Sequence, residues 1–83
     1  MKPFSLKIIT PAETLLEEQA TSIIAPGPKG YVGIWANHAP FITSLLPGTL
    51  TIKHNESEKR FSIQKGFLEV LDNQVKILTE LAS

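Results

Sequence analysis

The sequence predicts an all-β fold, an antiparallel β-sandwich or flattened barrel of short strands. Apolar residues mostly recur at every second position, as they do on strands with one buried face. Pro, Gly, Asn and Asp interrupt these runs at intervals of roughly 8 to 12 residues, which is the spacing typical of sandwiches and small barrels. No stretch between strands is long enough for the crossover helix of a parallel sheet. We therefore expect residues 1–83 to form a single domain of eight or more strands.

Proline and glycine divide the first half of the chain into strands. Residues 4–8 alternate between apolar and polar side chains, and Pro11 then removes a backbone donor and ends the first strand. A second segment runs over residues 15–25. The two prolines and two glycines of residues 26–30 predict a loop, because they fit poorly inside a strand ladder. Residues 31–35 form the next short strand.

The second half of the chain is more regular. A turn over residues 36–40 precedes a strand over residues 41–46, and Pro47-Gly48 has the signature of a type II turn. Alternation on both sides of the polar segments 54–57 and 72–73 then predicts two hairpins. The inward positions of all these strands are the core candidates, namely Phe4, Leu6, Ile8, Ile23, Leu50, Ile52, Phe61, Ile63, Val70, Val75 and Ile77.

Composition argues against several classes of function. Eight basic and eight acidic residues give a formal net charge of +0 without a run of one sign, whereas nucleic-acid binders carry a basic excess. No apolar stretch approaches the roughly 20 residues of a membrane-spanning helix, and the first residues lack the apolar centre of a signal peptide. Without cysteine there is neither a disulfide nor a thiolate metal site. We expect a soluble protein that neither binds nucleic acid nor inserts into a membrane.

The two histidines, His38 and His54, are the natural candidates for catalysis. An imidazole acts as a base or a metal ligand only with suitable partners. Neither residue is accompanied by a serine nucleophile motif or by a carboxylate at zinc-ligand spacing. The glycines, in turn, suit turns and bulges, because a phosphate loop needs a following helix and a suitably placed lysine. The sequence predicts no catalytic residue, no cofactor and no metal.

Five stretches of the chain resemble a known protein family. They are Ile9-Thr10-Pro11, Ile24-Ala25-Pro26-Gly27, the run from Gly30 to Pro40, Leu46-Pro47-Gly48-Thr49-Leu50 and Gly66-Phe67-Leu68-Glu69-Val70. Together they resemble the epsilon subunit of F-type ATP synthases, called delta in mitochondria, from about Phe4 to Thr79. The Gly-x-x-Gly-Ile-x-x-x-His-Ala-Pro run is the most specific part, because Pro-Gly and Gly-Phe-x-Glu-Val follow it at the family's spacing.

The resemblance implies a sandwich of about ten strands at the foot of the gamma subunit, touching gamma and the polar loops of the membrane c-ring. In that place the chain would be a non-catalytic central-stalk subunit that couples proton-driven rotation to ATP synthesis. It would lie peripherally at the cytoplasmic face of the bacterial inner membrane, and we expect a monomer when it is isolated.

Family members usually continue into a two-helix hairpin, which in some bacteria binds ATP and in several restrains ATP hydrolysis. This chain stops at Ser83. It resembles either a naturally short epsilon or an excised domain. We therefore expect neither ATP binding nor inhibition by a hairpin.

The resemblance also assigns residues to two surfaces. The gamma-contacting residues are Thr10, His38, Ala39, Pro40 and Thr43, and the residues facing the c-ring are Lys29, Gly30, Tyr31 and Val32. Many family members have an acidic residue in place of Tyr31, so a rigid aromatic contact would here replace an ion pair. Asn37 stands where glycine is commoner, and asparagine tolerates the left-handed conformation better than other non-glycine residues.

Each assignment has a plainer alternative. His38 also fits a turn residue that is satisfied by local backbone hydrogen bonds, and the threonines fit ordinary strand formers. Trp35 is interpreted as core or edge packing and not as a binding anchor. For the whole chain, the alternative function is that of an all-β adaptor that takes up an extended peptide on an exposed sheet edge.

Overall fold

The computed structural model describes residues 2–82, and these residues form eight β-strands and no helix. The strands are β1 (Phe4–Ile9), β2 (Thr14–Ala20), β3 (Ser22–Gly27), β4 (Gly30–Trp35), β5 (Phe41–Leu45), β6 (Gly48–His54), β7 (Ser57–Leu71) and β8 (Gln74–Leu81). The all-β prediction is confirmed. Within the described range, no helix is long and apolar enough to cross a membrane.

The strands form one hydrogen-bonded sheet that folds into two layers. Their order is β2-β1-β8-β7-β6-β3-β4, and β5 pairs with β7 outside this path. The first layer contains β2, β1, β8, β5 and the second half of β7, and the second layer contains the first half of β7, β6, β3 and β4. All neighbours are antiparallel except β1 and β8, which run parallel with Leu6 opposite Val75. The sequence did not predict this parallel pair.

The strand β7 belongs to both layers. Its residues from Ser57 to Ile63 pair with β6, whereas those from Gly66 to Leu71 lie between β5 and β8. The register shifts between Ile63 and Gly66. The sequence predicted two strands separated near Gly66, but the interruption is a bulge within one strand. This is one reason why eight strands are present and not the ten that the resemblance implied.

Gly66 lies at the bulge because two backbones approach each other there. A Cβ atom on Gly66 would collide with the carbonyl oxygen of Leu78 and would lie 2.9 Å from Cβ of Thr79. The buried hydroxyl of Thr79 is within hydrogen-bonding distance of the carbonyl oxygens of Gln64 and Lys65, at 3.1 and 3.3 Å. The bend of β7 therefore depends on two features. Gly66 on β7 has no side chain that would collide with β8, and the hydroxyl of Thr79 on β8 donates to the backbone of β7.

Thr21 marks a corner at which the chain passes from the first layer to the second. The sequence predicted one segment over residues 15–25, whereas the structure divides it into β2 and β3. The amide and the hydroxyl of Thr21 both donate to the carbonyl oxygen of Lys53, at 2.7 and 3.2 Å. The same hydroxyl accepts the amide proton of Asn55 at 3.1 Å. Thr21 is buried, so these bonds satisfy groups that water does not reach.

Replacing Thr21 with valine is expected to lower the free energy of unfolding by about 1 to 2 kcal/mol, because the amide of Asn55 loses its acceptor at a part-buried site. Valine matches threonine in shape, so the loss reports the hydroxyl. Urea denaturation measures the change, and Thr21→Ser, which keeps the hydroxyl, is the control. Equal stability of the valine variant and the natural chain would contradict this account of the corner.

The core lies between the two layers and follows the alternation of the sequence. All the core candidates are buried except Phe61, which is half-buried and packs against the others. The structure adds the buried residues Ala20, Ala25, Ile34, Leu45 and Leu68. The alternating pattern therefore predicts the inward face of β1, β6 and β8 correctly, and it misses residues on the strands next to prolines and glycines.

The loop predicted over residues 26–30 is wrong, because the structure shows only a two-residue turn at Pro28 and Lys29. Strand β3 continues through Pro26 and Gly27, which lie opposite Tyr31 and Gly30. Proline fits here because β6 pairs with β3 only as far as Ile24. Beyond Ile24, the carbonyl oxygen of Pro26 accepts the amide proton of Leu46 at 2.9 Å. Because β6 has already left β3 there, the proline nitrogen, which has no proton, does not have to donate a hydrogen bond to β6.

The type II turn predicted at Pro47-Gly48 is also wrong. Such a turn needs positive φ at its third residue, whereas Gly48 opens β6 and lies outside the positive-φ region. A Cβ on Gly48 would lie 2.9 Å from the hydroxyl oxygen of Tyr31 and 3.0 Å from Cβ of Pro26. The glycine here leaves room for the tyrosine side chain.

Candidate functional site

The loop between β4 and β5 presents His38, Ala39 and Pro40 at one end of the sandwich. All three residues are exposed. Nδ1 of His38 lies 2.7 Å from the carbonyl oxygen of Ala39, and the His38 ring packs against Phe41 with 5.6 Å between the centroids. Asn37 has a φ of 62°, which confirms that asparagine supplies the left-handed conformation in this turn. The loop is ordered by local contacts while its side chains stay accessible.

Thr10 and Thr43 lie apart from this loop. Thr10 follows β1 at the opposite end of the first layer, where its hydroxyl donates to the carbonyl oxygen of Glu13 and accepts the amide proton of Glu13. Thr43 is half-buried in β5, on the same side of the strand as the buried Leu45. The structure therefore does not bring the three assigned positions into one cluster.

An apolar row crosses the outer face of the first layer at the end where Thr10 follows β1. Leu78 lies opposite Ile9 in the pairing of β1 with β8 and opposite Phe67 in the pairing of β7 with β8. Leu78 is 48% exposed and Phe67 is 58% exposed. We call Ile9, Leu78 and Phe67 the apolar row. Two further exposed side chains, Ile42 and Leu71, extend it toward the His38 loop.

The sequence carries a signal for this row that alternation alone overlooks. In the run from Phe67 to Leu71, apolar residues occupy both faces of the strand, because Leu68 and Val70 are buried while Phe67 and Leu71 are exposed. Leu78 likewise follows the buried Ile77. A strand that is apolar on both faces is typical of a sheet covered on both sides. The outer face of the first layer therefore carries exposed apolar side chains among polar ones such as Lys7, Glu69 and Lys76.

Two hollows open on this side of the molecule. One of about 550 Å³ is lined by Ile9, Thr10 and Leu78 together with Pro11 and Pro47. The other, of about 320 Å³, lies near the opposite end of the first layer and is lined by Pro40, Phe41, Ile42, Glu69, Val70 and Leu71. Exposed apolar side chains beside hollows are features of protein interaction sites. The first hollow adjoins the apolar row, and the second lies beside Ile42 and Leu71, which extend the row toward the His38 loop.

The hairpin of β3 and β4 carries the residues assigned to the ring. Lys29, Gly30 and Tyr31 are exposed at its tip, and Tyr31 is 59% exposed. The hydroxyl oxygen of Tyr31 accepts the amide proton of Thr49 at 3.3 Å, and this hydrogen bond holds the tyrosine side chain in place. Val32 differs from the other three, because it is half-buried and packs against the core. Three of the four assigned residues, Lys29, Gly30 and Tyr31, are therefore accessible to a partner.

Trp35, which ends the edge strand β4, is 48% exposed. Its ring covers Gly33, where a Cβ would lie 2.6 Å from the nearest ring carbon. Trp35 is therefore edge packing, one of the two interpretations that the sequence allowed, and it lies on the second layer, away from the apolar row.

Neither histidine has the neighbours that metal binding requires in the described part of the chain. No group of three His, Asp or Glu side chains in residues 2–82 is close enough to hold a metal ion. His54 is half-buried at the end of β6, and its Nδ1 atom has no hydrogen-bond partner.

Comparison with known proteins identifies the family. The family model of the ATP synthase delta/epsilon chain β-sandwich domain matches residues 3–83. This chain belongs to that family. The delta/epsilon β-sandwich is accordingly the fold described above.

Relatives of this delta/epsilon domain include two bacterial ATP synthase epsilon chains. The chain of Moorella thermoacetica is 43% identical over 83 residues, and that of Leptospira borgpetersenii is 40% identical over 76 residues. The alignments cover 99% and 92% of this chain. They cover only 62% and 60% of the relatives, so the chain spans about three fifths of their length.

Chains in solved structures of mitochondrial ATP synthases share the fold. A chain of the Euglena gracilis mitochondrial ATP synthase, determined as an assembly of OSCP, F1 and c-ring, matches with a TM-score of 0.88 and 26% identity. That match covers 93% of this chain and 50% of the other. A chain of the Tetrahymena thermophila mitochondrial ATP synthase central stalk and c-ring has a TM-score of 0.80 and 20% identity, over 92% of this chain and 62% of the other, and shows the fold alone.

Proposed function

We propose that this delta/epsilon domain is a non-catalytic central-stalk subunit of an F-type ATP synthase that bridges the gamma subunit and the c-ring. The observation that carries the proposal is the TM-score of 0.88 to a chain of the Euglena assembly, together with about 40% identity to bacterial epsilon chains. In this role the domain couples proton-driven rotation to ATP synthesis. It lies peripherally at the cytoplasmic face of the bacterial inner membrane.

The outer face of the first layer is the proposed gamma surface. Thr10 follows Ile9 at one end of the apolar row, and the His38 loop precedes Ile42 at the opposite end of the first layer, so both assigned positions border the outer face of that layer. Phe67 belongs to a residue type that is enriched at interface cores. A partner that covers the row removes the exposed area of Leu78 and Phe67 from water, and this burial favours binding.

The tip of the β3–β4 hairpin is the proposed ring surface. Tyr31 is fixed by the amide of Thr49, so little side-chain freedom remains to be lost when a ring loop binds. Lys29 beside it supplies one exposed positive charge. Because the hairpin belongs to the second layer and the apolar row to the first, gamma and the ring occupy separate surfaces at the same time.

Torque transmission requires that the two surfaces move together. Strand β7 belongs to both layers, and the core between them consists of fully buried aliphatic side chains and Phe4. Protein interiors pack as densely as organic crystals, so displacing one layer displaces the other. The continuous backbone of β7 adds a covalent link between the two layers.

Separate substitutions on the two surfaces test the proposal. His38→Ala is expected to weaken binding to purified gamma about 5- to 10-fold, in the range of an interface residue of moderate energy. Tyr31→Ala is expected to leave binding to gamma unchanged and to weaken binding to a detergent-solubilised assembly of gamma with the c-ring by a similar factor. Surface plasmon resonance with immobilised gamma, or with the assembly, measures both.

Glu56→Ala, an exposed change in the β6–β7 turn, is the control for both surfaces. A pull-down from a bacterial extract supplements the affinities, because a rotor subunit recovers gamma and the head subunits whereas a peptide adaptor does not. If the natural chain fails to bind gamma, the proposed function is wrong. If Tyr31→Ala weakens binding to purified gamma in the absence of the c-ring, the assignment of the two surfaces is wrong.

A further inference from the structure

Asn73 occupies a turn position that would suit glycine. The β7–β8 connection consists of Asp72 and Asn73, with φ of 50° and 59°, and both positive values are typical of a type I′ turn. Glycine is the favoured second residue of such a turn, because it adopts positive φ at no steric cost. Asparagine at this position keeps a side chain that the turn itself does not need.

That side chain joins two segments that are distant in sequence. Its Oδ1 atom accepts the amide proton of Asn37 at 2.7 Å, and its Nδ2 atom donates to the carbonyl oxygen of Pro3 at 3.1 Å. The backbone carbonyl oxygen of Asn73 also accepts the amide proton of Ser5 at 3.1 Å. Asn73 therefore connects the β7–β8 turn to the start of β1 and to the β4–β5 loop.

The hydrogen bond between the Asn37 amide and Asn73 lies at the start of the His38 loop and controls the conformation of that loop. Asn37 has left-handed φ and directly precedes His38, so the direction of its amide sets the path of the three following residues. His38, Ala39 and Pro40 are exposed, and the His38–Phe41 contact is the one ring contact described for the loop. Without the Asn73 bond, only the contacts of His38 with Ala39 and Phe41 would order the loop, and any ordering left until a partner binds reduces affinity.

We propose that Asn73 is a positioning residue that holds the β4–β5 loop in the conformation that binds gamma. The inference rests on the proposed function, because it takes the His38 loop as part of the gamma surface. Asn73 acts through the amide of Asn37 and does not itself contact the partner. The side chain of Asn73 thus orders the loop before gamma binds.

Asn73→Gly tests the inference with little disturbance of the turn, since Asp-Gly is itself a favoured type I′ pair. We expect an unfolding temperature close to that of the natural chain, faster hydrogen exchange at the Asn37 amide, and an affinity for gamma lower by about 5- to 10-fold. Asn73→Asp keeps the Oδ1 acceptor for the Asn37 amide but places a carboxylate oxygen against the carbonyl oxygen of Pro3, so its affinity is expected to lie between that of Asn73→Gly and that of the natural chain. Nuclear magnetic resonance and surface plasmon resonance measure the two effects.

The matched control is Asn55→Gly, which removes the same side chain from a left-handed residue with φ of 57° at the same end of the sandwich. The hydrogen bond described for Asn55 uses its backbone amide, so binding to gamma is expected to be unchanged. If Asn73→Gly binds gamma as the natural chain does while His38→Ala does not, the positioning role is wrong and the gamma surface stands. If both variants bind as the natural chain does, the assignment of the loop to gamma is wrong. Equal losses in Asn73→Gly and Asn55→Gly would also overturn the positioning role.

Discussion

Gly66→Ala is expected to lower the free energy of unfolding by about 3 kcal/mol, at the upper end of the range for overpacked sites. The added methyl group would meet the carbonyl oxygen of Leu78 and the Cα and Cβ of Thr79. Backbone atoms on a paired strand cannot move aside as a flexible side chain can. Relief would require β7 and β8 to separate where β7 bends from one layer into the other.

The change is large enough to appear in a thermal scan. For a domain of this size, about 3 kcal/mol corresponds to a fall in unfolding temperature of roughly 12 to 24 °C. Lys65→Ala at the neighbouring exposed position is the control, because it shortens a solvated side chain and leaves the backbone unchanged. A Gly66→Ala variant with the stability of the natural chain would mean that the two strands are farther apart at the bulge than described.

Leu78→Glu is expected to reduce the affinity for gamma about 100-fold or more while the stability of the isolated domain changes little. Leu78 lies at the centre of the apolar row and is 48% exposed, so a glutamate there is solvated in the free domain. Binding of gamma would bury that carboxylate without a partner, and unpaired buried charges cost several kcal/mol. About 3 kcal/mol corresponds to a factor of about 100 in the dissociation constant.

Ile24→Glu is the matched control for this experiment. Ile24 is also an exposed aliphatic residue on a strand, but it lies on the outer face of the second layer. Isothermal titration calorimetry with purified gamma measures both affinities, and circular dichroism checks that both variants are folded. Normal binding by Leu78→Glu, or an equal loss in Ile24→Glu, would remove the apolar row from the gamma surface.

The features that were predicted correctly from the sequence depend on residues that are close to one another in the chain. The hairpin turns at residues 54–57 and 72–73 were correct because both flanking runs alternate and the polar residues between them favour turns. The core on β1 and β8 followed from the same alternation. Asn37 was also predicted correctly, because the tolerance of asparagine for positive φ is a property of the residue itself.

The features that the sequence did not predict depend on contacts between distant residues. Nothing near Thr21 indicates a corner, because its partners Lys53 and Asn55 are more than thirty residues away. Pro26 and Gly27 suggested a loop, and only the departure of β6 from β3 makes a strand acceptable there. The resemblance placed Thr10 and His38 on one partner surface, but the apolar row beside Thr10 arises only from the pairing of β1, β8 and β7, whose residues are distant in sequence.

The parallel pairing of β1 with β8 affects how the chain matures during its synthesis. Leu6 emerges from the ribosome well before its neighbour Val75, which is made almost seventy residues later. Until then β1 has only β2 beside it, and a two-stranded hairpin is marginally stable in water. The first layer is therefore completed only once β8 has been made, and until then the inward side chains of β1 lack the neighbours that bury them in the folded domain.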